Sequence, residues 1–173
     1  MESVLQVATY MCERYCREYG KNLDEMKLHK LLYFTQRESI IRTGDVMFDA
    51  EFRAWQYGPV VRVVRDAYKT GGLKETLSPE AQMRHSAVFD YIFVTYAGKS
   101  SYSLATQSHS ELSWEHARAG YGDYDASDVP MKLEDMREDA ERAKKWREES
   151  KILQRVQVYI DSHKESLKGI CLL

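Results

Sequence analysis

The sequence predicts a mainly α fold: a compact helical domain with a short β-hairpin or extended element near residues 45–57 and a long carboxy-terminal helical segment. Three observations carry that expectation. Apolar residues recur at intervals of three and four through much of the chain, glycines and N-capping side chains punctuate those runs, and one stretch is rich in β-branched and aromatic residues. With 173 residues, 43% hydrophobic and 30% charged, the chain can bury one self-sufficient core and has the balance of a folded protein.

The first helix is expected from Val4, where Val4, Ala8, Met11, Tyr15 and Tyr19, joined by Leu5 and Cys12, form one stripe that Gly20 ends. Asp24 caps a second helix with Glu25 in its first turn, Leu28, Leu31 and Leu32 on its apolar face, and Gly44 as its stop. Asp45 to Tyr57 reads as short strands or extended chain. Gly58-Pro59 is expected to break that pattern and open a helix carrying Val60, Val61, Val64 and Tyr68, which Gly71-Gly72 terminates. Ser78-Pro79 starts a segment to Ala97 that reads as helix, and a shorter helix covers Tyr102 to Ser108. A polar surface loop follows from Gly120 to Asp128. From Met131 to about Lys164 the chain is rich in Glu, Lys, Arg and Ala without glycine or proline, which predicts a long or once-broken helix. On it Trp146, Leu153 and Ile160 recur at seven, so one face must pack somewhere.

Several function classes lose weight on composition alone. The amino terminus begins Met1-Glu2-Ser3 without an apolar leader, and no run approaches the length of a membrane span, so a cytoplasmic protein with no membrane partner is expected. The three cysteines (Cys12, Cys16, Cys171) are an odd set and read as free thiols. A net charge of −2 offers phosphate backbones no global attraction, and Arg142, Lys144, Lys145 and Arg147 are interleaved with Glu138, Asp139, Glu141 and Glu148. Nucleic acid is therefore disfavoured as a partner.

Local motifs for chemistry fail in specific ways. Gly98-Lys99-Ser100 imitates the end of a phosphate-binding loop, but the glycine required five residues earlier is Phe93. Asp123, Asp125, Ser127 and Glu134 match four positions of a calcium loop, yet Asp128 replaces its glycine and Pro130 interrupts its strand. The five histidines lack the paired spacing of a zinc site, and neither His109 with Glu111 nor Glu115 with His116 sits in a nucleophile motif. No catalytic residue, metal ligand or cofactor is assigned.

Three stretches in order do carry a signal: Lys27-Leu-His-Lys-Leu-Leu-Tyr-Phe34, Thr43-Gly-Asp-Val-Met-Phe-Asp49, and Phe52-Arg-Ala-Trp-Gln-Tyr-Gly-Pro-Val-Val61. They resemble the Panacea antitoxin domain, the family that includes SocA-like antitoxins and phage-associated proteins of the GepA type. A fourth stretch, Leu104 to Ala117, is similar to that family's later Thr-His and Pro-Trp motif, with Ser108 in place of the threonine and Ser113 in place of the proline before Trp114. These departures leave the fold expectation intact and keep His109 and Trp114 off the list of expected functional residues. The resemblance divides the chain into a Panacea-like domain at 1–136 and a charged carboxy-terminal helical extension at 137–173.

The resemblance implies an antitoxin of a bacterial or phage toxin–antitoxin system that binds a cognate protein toxin directly, with no enzymatic activity of its own. It also leaves open a role as an adaptor delivering the toxin to a protease. From the residues themselves, Arg53, Trp55, Tyr57, Arg62 and Arg65 are the candidates for a partner-binding surface, since aromatics and arginines anchor interfaces. Trp146 would anchor a second surface on the charged terminal helix, which could equally fold back on its own domain or pair with another copy in a homo-oligomer.

Overall fold

The structure, a computed structural model, describes residues 1–162; the expected helix end near Lys164, together with His163 and Cys171, lies outside the described residues. Two compact units are present, Met1–Ala140 and Glu141–Leu173. In the first, α1 (Val4–Tyr19) and α2 (Glu25–Thr43) are followed by the antiparallel strands β1 (Phe52–Trp55) and β2 (Gly58–Val61), then by α3 (Arg62–Thr70), α4 (Pro79–Arg84), α5 (Ser86–Ile92), a π-helical turn (Phe93–Ala97), α6 (Ser101–His109) and α7 (Leu112–Ala117). Helix α8 (Leu133–Ser162) begins in the first unit and supplies the described part of the second. The mainly helical expectation, with one small hairpin and a long terminal helix, is met.

Local chemistry explains the helix ends. The Asp24 carboxylate accepts the Lys27 N–H at 2.8 Å, a cap that satisfies one orphan donor of α2, and Gly20 and Gly44 close α1 and α2 in left-handed conformations. Ser78 and Ser100 cap α4 and α6 through the N–H groups of Ala81 and Ser103. The helical segment from Pro79 to Ala97 is broken once, at His85.

Helix α2 is the axis of the unit. It packs against α1, α5, α6 and β2, so every residue from Lys27 to Ile40 is buried, including its charged ones. Each enclosed polar group needs a partner, because burial without one forfeits its hydration. Gln36 clamps the chain leading into the hairpin, accepting from Met47 N–H at 2.9 Å and donating to the Phe48 carbonyl at 2.6 Å. Arg37 pairs with Glu111 and donates to Tyr96 Oη at 2.8 Å. The Tyr33 hydroxyl lies 2.9 Å from both Ser113 Oγ and Asp139 Oδ2, while the Asp139 carboxylate also accepts the Leu112 and Ser113 N–H groups at 2.6 and 3.0 Å.

The structure corrects the expected helix start at Pro59. Val60 and Val61 belong to β2, and α3 begins only at Arg62. Trp55 pairs with Gly58 across a two-residue turn, and Gly58 adopts a φ of 96°, accessible to glycine without strain. Proline is tolerated in this strand because Ala54, its partner, turns its own N–H the other way, to the Val129 carbonyl at 2.9 Å. The 129–131 segment thus lies along the free edge of β1, with Met131 N–H donating to the Phe52 carbonyl at 2.8 Å. Helix α7 was not expected from the sequence, and Tyr19, placed on the apolar stripe of α1, is 38% exposed rather than buried.

Within the second unit, Trp146, Leu153 and Ile160 of α8 are all exposed, with Ile152, Val156 and Tyr159 exposed beside them. Among the described residues no helix is long and apolar enough to cross a membrane.

Candidate functional site

The four stretches singled out in the sequence converge on the hairpin. Lys30 of α2 reaches under the turn, where its Nζ donates to the Pro59 carbonyl at 3.3 Å. A Cβ at Gly58 would collide with Ser108 Oγ and lie 2.7 Å from Lys30 Cε, so only glycine lets α2, α6 and the hairpin meet at this point. Trp114 Nε1 donates to the Trp55 carbonyl at 3.0 Å, and the His109 ring stacks on Trp114 with centroids 3.9 Å apart. Those two residues, discounted on sequence grounds, brace the hairpin from behind.

In front of the hairpin is a groove of about 700 Å³. Met26, His29 and Lys30 of α2, Val60 of β2, Trp55 and Tyr57 of the hairpin, Arg65 of α3 and the loop residues Ala126 to Asp128 line it. The lining is mostly apolar, with a few polar groups, which is the usual make-up of a binding pocket.

The rim acids are already engaged. Asp128 accepts from Trp55 Nε1 at 2.8 Å and from Arg62 Nε at 3.2 Å, and its carbonyl accepts from Arg53 Nη1 at 3.1 Å. Glu25 pairs with Arg65 at 3.3 Å, and the Arg65 guanidinium lies 4.9 Å from the centroid of the Trp55 ring. Arg53 also pairs with Glu51. The structure thus brings Arg53, Trp55, Tyr57, Arg62 and Arg65 to one face of the first unit. Tyr57, at the tip of the turn, is 56% exposed and makes the least constrained contact surface of the five. Trp146 lies in the second unit, 68% exposed on α8.

The floor differs from the rim. Lys30 is 1% exposed, and burial pushes its ammonium down to about 7, against the pull of Asp24 and Glu25. His29 is 2% exposed; burial, then the charges of Lys30 and Arg65, push it down to about 3, so it is neutral. Its Nδ1 accepts the Val61 N–H at 3.4 Å, which leaves Nε2 as the protonated nitrogen. That Nε2 has no hydrogen-bond partner, and the nearest carboxylate oxygen, on Glu25, is 4.0 Å away. Sequence reasoning missed His29, Lys30 and Asp128. A polar His-Lys pair amid Leu28, Leu31 and Leu32 was the available signal, but a helix read alone does not reveal that it is enclosed on every side.

Elsewhere, Cys12 is half-buried and Cys16 exposed, both free, with burial and then the neighbouring Glu13 pushing the Cys12 thiol up to about 11. Among the described residues no three of His, Cys, Asp and Glu cluster as a metal site.

A helical domain presenting a hairpin-walled groove, stitched together by residues from four separate sequence stretches, is the class of protein that this fold and site define. Its motifs account for the match that follows. The family model of the SocA-like antitoxins, Panacea domain, matches residues 28–115, just over half of the chain, and the protein belongs to that family. No curated protein and no solved structure matches it. Family membership supports an antitoxin role.

Proposed function

We propose that the protein neutralises a cognate protein toxin by direct, stoichiometric binding, and that the hairpin face carries the contact. The observation behind this reading is the grouping of Trp55, Tyr57, Arg53, Arg62 and Arg65 on one rim, where Asp128 and Glu25 hold Trp55 and the three arginines so that little order remains to be imposed on those four side chains on binding. Tyr57 is the anchor, because it is large, exposed and held by a tight turn. Arg53, Arg62 and Arg65 are matched by Glu51, Asp128 and Glu25, so the rim presents fixed charges of both signs that a complementary patch on the toxin can meet.

The test is to express the adjacent toxin gene with and without this protein. Growth arrest by the toxin alone, relieved by co-expression with the toxin intact and co-purifying, is the expected outcome. Tyr57→Ala should weaken the purified complex by about tenfold or more, the loss typical of an interface anchor. Persistent arrest, or rescue accompanied by toxin disappearance, would rule out neutralisation by simple binding; the second result would indicate delivery to a protease.

A further inference from the structure

We infer that the floor of the hairpin groove is a carboxylate-binding site, in which Lys30 and His29 receive the carboxylate of an organic acid while Trp55, Met26 and Val60 hold its apolar stem. The inference concerns the floor of the groove and shares only Trp55 with the rim assigned to toxin neutralisation.

Hydrogen-bond supply carries the argument. Lys30 Nζ has three N–H donors when charged and a single acceptor within reach, the Pro59 carbonyl. His29 Nε2 is a neutral donor without a partner, in a residue 98% withdrawn from solvent as the complement of its 2% exposure. His29 and Lys30 both line the groove, and their spare donors call for an acceptor there, which the two oxygens of a carboxylate supply. The two acids nearby do not serve: Glu25 is drawn to Arg65 and stays 4.0 Å from His29, and Asp128 is held by Trp55 and Arg62. The site therefore lacks a negative charge that its own chain does not provide. Its volume of about 700 Å³ falls within the range of small-molecule pockets, and its walls are mainly hydrocarbon and aromatic surface, so the acid must carry an alkyl or aryl body. Such a carboxylate can come free in solution or as the chain terminus of a peptide.

Protonation of Lys30 couples to occupancy. The charged and titratable groups around it are Asp24 and Glu25 at the start of α2, Arg65 on α3, His109 on α6 and Asp128 on the loop. With the ammonium lowered to about 7 by burial, an entering carboxylate restores the proton, so binding takes up a proton near neutral pH and weakens as the solution becomes more alkaline.

The experiment titrates the full chain with benzoate, phenylacetate, 1-naphthoate and decanoate, each beside its carboxamide, by calorimetry and by NMR of the His29 ring. A second arm uses short peptides ending in Phe or Leu with free or amidated carboxyl termini. The expected result is binding of an acid at least about tenfold tighter than its amide, a perturbed His29 resonance, and a fall of about tenfold between roughly pH 6 and pH 9 as Lys30 deprotonates. Binding in the first arm identifies a free acid, and binding in the peptide arm alone identifies a chain terminus. Lys30→Met, and independently His29→Phe should either variant fail to fold, should weaken binding about tenfold. No acid binding in either arm, equal binding of acid and amide, or full binding by a folded variant overturns the inference.

Discussion

Helix α2 and the second half of α8 invert what their sequences suggest. From Lys27 to Ile40, α2 carries Lys27, Lys30, Arg37 and Glu38, yet all of it is buried. From Glu141 onward, α8 displays Trp146, Ile152, Leu153, Val156, Tyr159 and Ile160, and all of these are exposed. Apolar content alone does not decide which helix forms a core. In α2 the charged side chains find enclosed partners, such as Glu111 for Arg37 and Tyr15 Oη at 3.1 Å for Lys27 Nζ, and those partners make it the axis of the fold.

The contrast can be sharpened by substitution. Arg37→Ala should have the largest effect, about 3–5 kcal/mol by urea denaturation, because it leaves the Glu111 carboxylate in a poorly hydrated site without its cation. An unchanged urea midpoint would show that the charges of α2 are dispensable and would break the comparison. Gly58→Ala should cost about 2 kcal/mol or more, combining a positive φ with collision against Ser108 and Lys30, and should appear as a lowered melting temperature.

Acid titration probes α2 more gently. His29 is held neutral down to about pH 3 in the fold but titrates near 6.5 when unfolded, so between these values the unfolded chain binds more protons. Its contribution to stability is complete above about pH 6.5 and is lost as pH falls through the window toward 3. Equilibrium unfolding of His29→Gln across that window should show a shallower acid loss than the parent. The smallest effect belongs to α8: Trp146→Ala should change unfolding stability by no more than about 0.5 kcal/mol, as for an exposed side chain outside any enclosed network. A larger loss that grows with protein concentration would instead indicate that this face is covered by a second copy.

The legible parts of the fold are those governed by neighbours in sequence. Gly20, Asp24, Gly44, Ser78 and Gly71 mark helix ends by local hydrogen bonding and backbone freedom, and each does so in the structure. The strand at Gly58–Val61 was hidden, because Pro59 suggests a helix start unless one knows that Ala54 directs its N–H to Val129, 75 positions later. The same limit applies to the site. Trp55, Tyr57 and Arg65 were visible as interface residue types, but the link between Asp128 and Trp55 spans 73 positions and that between Tyr33 and Asp139 spans 106, distances over which pattern carries no information.

The π-helical turn at Phe93–Ala97 acts as a phase corrector. Buried pairs recur every four residues along this stretch: Val88 with Phe89, Ile92 with Phe93, Tyr96 with Ala97. A uniform winding of about 3.6 residues per turn would rotate successive pairs by roughly 40° each, carrying the last one away from the core. The looser turn absorbs that drift and keeps Tyr96 stacked on Phe34 at 4.4 Å and bonded to Arg37. Ordinary winding with every residue kept would carry the Tyr96 ring off this face, so the local loosening keeps the aromatic column in step.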